Sequence, residues 1–161
     1  MNPMESYIAK IRKLVGDEYI MLLAANAVIV DEHNRILLQK RSDNHLWGLP
    51  GGLLELDESI EQGLLREVKE ETNLDVEIIS FLGVFTNPLM RWRVSDSAKV
   101  FAFSFHAKVV GGELRINDTE STELHYFDYE HLPQIHSIDT QEAIDAYYHH
   151  QTNLIEGKKY Q

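Results

Sequence analysis

Tyr7, Ile8, Ile11, Leu14 and Val15 recur at helical spacing and Gly16 follows at a natural stop, so residues 4–15 predict a short amphipathic helix. Residues 19–30 form a β-prone run, residues 31–35 carry turn chemistry, and residues 36–40 read as a second strand, together predicting a hairpin. The stretch SDNHLWGLPGG, residues 42–52, breaks all periodicity. Beyond it the pattern predicts a helix over 59–72, a strand over 76–85, a strand over 100–110 with a turn at Gly111-Gly112, a short strand over 124–127 and a last helix over 139–150. The final IEGKKYQ reads as a solvated tail. Strands separated by both turns and helices imply an α/β fold, a mixed β-sheet sandwiched between helices, with a short N-terminal helix appended. The expected organisation is a helical extension over 1–18, one domain over 19–152 and a tail over 153–161.

Composition narrows the function. The chain has 161 residues, 43% of them hydrophobic, enough for one compact core and too short for a second catalytic domain. Its longest apolar stretch is far short of the roughly 20 residues that cross a bilayer, and the amino terminus lacks a basic start followed by an apolar run. The absence of cysteine rules out disulfides and thiolate metal sites and suits a reducing cytoplasmic setting. A formal charge of −11 argues against general nucleic-acid binding, which needs clustered lysine and arginine. An acidic protein that handles phosphates needs cations as intermediaries.

The informative segment is residues 51–74, GGLLELDESIEQGLLREVKEETNL. Ser59 and Gln62 form a capping box that sets the helix start. Glu67, Glu70 and Glu71 then stand at i, i+3 and i+4 on one arc, where each close like-charged pair costs roughly a few tenths of a kcal/mol. A hard divalent cation with oxygen ligands relieves that repulsion, although the same EVKEE run also suits a solvated acidic face. Ile60, Leu64, Leu65 and Val68 occupy the adjoining arc and are expected to bury against the sheet, leaving the glutamates at its rim. Gly63, costly inside a helix by about 1 kcal/mol, either leaves space beside the carboxylates or lets the preceding loop pack closely.

Gly52, five residues, Glu58, seven residues, then Arg66-Glu67-Val68, Lys69, Glu70-Glu71, Thr72, Asn73 and Leu74 resemble the Nudix box over 23 residues, and WGLPGG at 47–52 resembles the family as well. One position departs: the family pattern has glycine where this chain has Asn73. That position should be a left-handed C′ cap, which asparagine tolerates, with Leu74 packing back toward Val68. The likeness extends more loosely over residues 21–127 and does not reach the first helix. It implies the Nudix fold and hydrolysis, by metal-activated water, of a phosphoanhydride bond in a nucleoside diphosphate linked to another moiety.

Residue by residue, the resemblance makes Glu67, Glu70 and Glu71 ligands of Mg2+, with Mn2+ as an alternative, and the backbone carbonyl of Gly51 a further oxygen. Arg66 is expected to orient a glutamate of the site, and Glu58 to support the loop–helix junction. A later acidic residue often joins such a site as ligand or base; in NDTESTE, residues 117–123, Glu120 is the first candidate and Glu123 the second. Glu70 or Glu120 would accept the water proton. Arg41 resembles an arginine that meets substrate phosphate in MutT-like members, though KR is also an ordinary polar strand end. Gly52, Arg91 and Trp92 are the remaining substrate-binding candidates, and Pro88 faintly resembles a proline of ADP-ribose-hydrolysing members. ADP-ribose or a similar derivative is the first expected substrate and nucleoside triphosphates the second. The alternative is a non-catalytic Nudix-like nucleotide-binding sensor, against which the complete glutamate set argues. No membrane partner is expected, and dimers are frequent in the family, so a homodimer stays open.

Overall fold

The structure, a computed structural model, describes residues 5–87, 90–91 and 97–159, with the backbone alone for 90 and 91. Helix α1 (Tyr7–Val15) begins where the Ser6 hydroxyl accepts the Ala9 N–H and ends at Gly16, whose N–H reaches the Arg12 carbonyl at φ +64°. It buries no residue fully. Strand β1 (Ile20–Ile29) follows, and its second half, with Ala25, Ala27, Val28 and Ile29 all buried, is apolar on both faces because both are covered.

The expected hairpin does not form as such. Asp31 does make the turn, accepting the backbone N–H groups of His33 and Arg35, and Val30 and Ile36 share a single bridge. From there β1 and β2 (Ile36–Arg41) enter different sheets. β1 lies between β4 (Gly51–Leu53), antiparallel, and β7 (Ser97–Gly112), parallel over ten residue pairs. β2 lies between β3 (Trp47–Gly48) and β8 (Ser121–Phe127). Turn chemistry is local, whereas the choice of partner is decided by burial: Leu37 enters one core and Ile36 and Leu38 the other.

The larger sheet also contains β5 (Leu74–Thr86), antiparallel to β7, and the short β6 (Met90–Arg91), paired with the start of β7. Gly111 and Gly112 are not a free turn; they continue β7 against Leu74 and Asp75. Helix α2 (Ile60–Thr72) covers one face, burying Leu64 and Val68 against Ala25, Ala27, Ile29, Val76 and Phe105. Helix α3 (Ile138–Tyr148) covers the other with Ala143, Ile144 and Ala146 against Val28, Leu82 and Phe85. Each fully buried Leu, Val or Phe contributes about 1.5–3 kcal/mol. The mixed sheet between helices is as expected, but Ile60 and Leu65 remain 36% and 39% exposed, because α2 touches the sheet through a narrower stripe than its full apolar arc.

Residues 153–159 are not simply a solvated tail. Leu154 is buried and β9 (Leu154–Ile155) pairs in parallel with β5 at Gly83 and Val84, with β10 (Lys158–Lys159) folded back as the outer edge. A side chain at Gly83 would lie 2.3 Å from the Leu154 carbonyl oxygen, so glycine permits this closure. No helix among the described residues is long and apolar enough to cross a membrane.

Helix α2 carries the capping box, with Ser59 Oγ accepting from the Gln62 N–H at 3.1 Å and the Gln62 side chain accepting from the Ser59 N–H at 2.8 Å. At the other end Asn73 adopts φ 63°, ψ 13°, the left-handed cap anticipated for it, and Leu74 joins the core cluster of Val68. Its side chain adds something a glycine lacks: Nδ2 donates to the Glu113 carbonyl at 2.9 Å, tying the helix end to the segment after β7. Asn73→Ala, which keeps a Cβ and loses the amide, should lower unfolding free energy by about 1–2 kcal/mol, whereas Asn73→Gly should change it less; denaturant titration of both variants measures this.

Candidate metal centre and active site

The loop between β4 and α2 and the glutamates of α2 are built onto each other. Gly51 has φ +152°, and a Cβ there would sit 2.2 Å from the Ala25 carbonyl oxygen. Only glycine allows this approach. The approach puts the Gly51 N–H 2.9 Å from Glu71 Oε2. Gly52 lies against the Glu67 carboxylate, where a Cβ would meet its Cδ at 2.5 Å. Gly63 serves the loop: a side chain there would strike Leu54 and Glu58, so close loop packing is its role and no space opens beside the carboxylates.

Arg66 organises one side of the cluster. Its Nε and Nη2 grip Glu58 at 2.8 and 2.7 Å, its Nη1 reaches Glu67 at 3.0 Å and Glu70 at 3.2 Å, and Nη2 also approaches the Leu53 carbonyl at 3.4 Å. These are charge-assisted contacts to three carboxylates from one planar group. Hydrogen bonding to Arg66 holds the Glu58 carboxyl below the ordinary glutamate range. Glu67 goes the other way, pushed up to about 6 by burial, with Arg66 opposing and Glu70 and Glu120 adding to the rise.

Glu71 is the exceptional group. It is 2% exposed, and among the described residues no lysine or arginine forms an ion pair with it. Burial drives its pKa well up, the Gly51 N–H partly offsets this, and the negative charges of Glu67, Asp118 and Glu120 raise it further. Oxygens of Glu71, Asp118 and Glu120 all lie within 4.8 Å of one another. Hard carboxylate oxygens at that spacing, one deeply buried, suit a divalent oxygen-seeking cation such as Mg2+.

The loop that supplies Asp118 and Glu120 is held by both side-chain and backbone hydrogen bonds. Asn117 Nδ2 reaches the Lys69 carbonyl at 3.4 Å, Asp118 Oδ1 accepts the Glu120 N–H at 3.2 Å, and the Glu120 carbonyl accepts the Ser42 N–H at 2.9 Å. Glu120 is therefore brought to the cluster. Glu123 is not; it faces Lys40 and His125 at 3.2 and 3.3 Å. Asp118 was absent from the sequence-based candidates, and its place in an Asp-x-Glu turn was the signal available. A register shift between Lys40 and Arg41 aims Arg41 differently from the strand before it. Its guanidinium binds Asp43 through two hydrogen bonds of 3.0 and 2.7 Å and feels the charges of Glu120 and Glu71. The Arg91 side chain, Trp92 and Pro88 lie outside the described residues. Beside Arg66 an open cleft of about 560 Å3 is lined by Glu5, Ser6, Glu55, Asp57, Glu58, Gln62 and Arg66.

Comparison with known proteins places this geometry. A sequence model of the NUDIX domain matches residues 21–148. The chain is 37% identical over 122 residues to an ADP-ribose pyrophosphatase of Methanocaldococcus jannaschii, spanning 74% of this chain and 69% of that protein. It is 36% identical over 123 residues to a MutT-like protein of Streptomyces ambofaciens, with 74% of each covered. The crystal structure of an ADP-ribose pyrophosphatase from Streptococcus suis superposes with a TM-score of 0.65 at 26% identity, covering 86% of this chain and 98% of that one.

The raised acids have a consequence for the metal-free protein. Folded Glu71 and Glu67 hold their protons to higher pH than the unfolded chain does, so their contribution to stability is complete below the ordinary glutamate range. That contribution falls as pH rises, through about 6 for Glu67. Glu71→Gln, which needs no ionisation, should therefore come closest to the wild type at about pH 4 in EDTA and melt at a higher temperature than it by about pH 8. Thermal unfolding across that range is the measurement.

Proposed function

The chain belongs to the Nudix family of hydrolases, and on that premise we propose that it cleaves the phosphoanhydride bond of a nucleoside diphosphate linked to another moiety, with ADP-ribose as the first substrate and nucleoside triphosphates as the second. The preference for ADP-ribose draws on the relatives of that name and on the shared extent of the two chains. The single observation that carries a hydrolytic role is the buried Glu71 carboxylate, which forms no ion pair with a lysine or arginine among the described residues and lies within 4.8 Å of Asp118 and Glu120. A binding-only sensor has no use for such a costly arrangement.

In this reading Mg2+ is held by Glu67, Glu70, Glu71 and the Gly51 carbonyl, with Glu120 and Asp118 as further oxygen donors. When bound, the ion supplies charge to offset that on the phosphate oxygens and makes water more acidic. Arg66 Nη1 donates to both Glu67 and Glu70, which draws the two carboxylates to one cationic group and offsets their mutual repulsion. Glu70, more than half exposed, or Glu120 accepts the proton of the attacking water. Arg41, presented by the shifted strand end, meets a substrate phosphate once Asp43 releases it, and Gly52, Arg91 and Trp92 complete the substrate side.

Incubation with Mg2+ and a panel of ADP-ribose, dinucleoside polyphosphates, nucleotide sugars and triphosphates tests this. ADP-ribose should give AMP and ribose 5-phosphate as the two products, and an excess of EDTA should stop the reaction. Absence of phosphate-containing products from the whole panel would overturn the proposal. Glu70→Gln should lower turnover by roughly a hundredfold or more while leaving the melting temperature unchanged or slightly raised, since the residue is exposed and its neutralisation relieves repulsion with Glu67 and Glu71. Turnover equal to the wild type in that variant would remove Glu70 from the chemistry.

A further inference from the structure

Helix α1 lies before the segment matched by the family model, yet it is joined to the box by hydrogen bonds. The first N–H groups of any helix lack intrahelical acceptors and carry partial positive charge. Here Ser6 takes the Ala9 N–H, and the Tyr7 N–H donates at 2.8 Å to Glu55 Oε2, 48 residues away. The Glu55 backbone N–H in turn donates to Glu58 Oε1 at 2.9 Å, on the same carboxylate that Arg66 grips. Arg66 also touches the Leu53 carbonyl, so Glu55 sits between two residues that Arg66 contacts. At its other end α1 is held by Arg12, whose Nη2 donates to the Ser97 carbonyl at 2.9 Å, at the start of β7 where β6 pairs. No side chain of α1 is fully buried, so these polar contacts add to the half-buried Tyr7, Ile8 and Ile11 in holding it in place.

We propose that Glu55 is a positioning residue: by capping the first turn of α1 it fixes the 53–58 loop, and through Glu58 and Arg66 it sets the orientation of Glu67 and Glu70. This rests on the reading of those glutamates as metal ligands. The same contact sets Glu5 and the α1 cap residue Ser6, just before the helix, against the cleft beside Arg66.

Binding of Mn2+ to the 161-residue chain without substrate, followed by electron paramagnetic resonance, separates this from a merely structural role. Residues acting on ligands through an intermediary typically change metal affinity by about tenfold or more, and one step further out the effect should be roughly threefold to tenfold. Glu55→Ala should weaken Mn2+ binding and lower kcat by that factor with little change in KM. Its melting temperature should stay within about 3 °C of the wild type. Glu55→Gln, whose amide oxygen still accepts the Tyr7 N–H, should recover most of both losses. A Glu55→Ala protein with a lower melting temperature but unchanged Mn2+ affinity and kcat overturns the coupling, as does a Glu55→Gln protein as impaired as the alanine variant. If the wild type binds no Mn2+, the metal reading falls and the coupling with it. If wild type and Glu55→Ala bind alike, the coupling alone falls.

Discussion

Keeping several carboxylates in one small volume is the constraint to which the rest of this molecule answers. Glu58, Glu67, Glu70, Glu71, Asp118 and Glu120 converge where α2 meets two loops. Like charges about 4 Å apart repel by about 1 kcal/mol in water and about 4 kcal/mol near a protein surface. The protein answers unequally. On one side Arg66 compensates three carboxylates at once; on the other Glu71 is buried, accepts the Gly51 N–H, and forms no ion pair with a lysine or arginine among the described residues. That imbalance is costly for folding, and it is what leaves the cluster receptive to an added cation.

The glycines enforce this crowding. Gly51, Gly52 and Gly63 each stand where a single added carbon would strike backbone or a carboxylate within 2.7 Å. They bring the β4–α2 loop down onto the helix, so that Glu58 and Glu67 can share one guanidinium. The core beneath, with Leu64 and Val68 on the sheet, holds the helix at the depth this requires.

Helices and long strands were legible in the sequence because their apolar spacing is a property of the element alone. The capping box at Ser59, the left-handed Asn73 and the packing of Leu74 near Val68 follow from local backbone geometry and could be anticipated residue by residue. Partner choice was not legible: residues 31–35 turn the chain, but nothing in them says that β1 and β2 part company. Strands of two or three residues, such as Trp47–Gly48, Gly51–Leu53 and Leu154–Ile155, are too short to show a period. At the site, the spacing of Glu67, Glu70 and Glu71 along one helix was visible in the sequence, whereas the contacts of Arg66 with Glu58, Glu67 and Glu70 together depend on how the loop folds onto that helix. Whether Glu120 or Glu123 turns inward depends on a loop anchored to α2 by Asn117, and on Lys40 claiming Glu123, both of which are long-range facts. Asp118 joined the cluster for the same reason.

The last strand pair has a bearing on how these molecules behave in a crowd. An uncovered edge of a sheet offers unpaired backbone groups to any other strand that drifts by. Here the margin beyond β5 is finished by a very short strand whose two residues, Lys158 and Lys159, are exposed cations. A neighbour trying to extend the sheet from that side would meet two ammonium groups and almost no ladder to bond with, so the margin resists runaway strand-on-strand association.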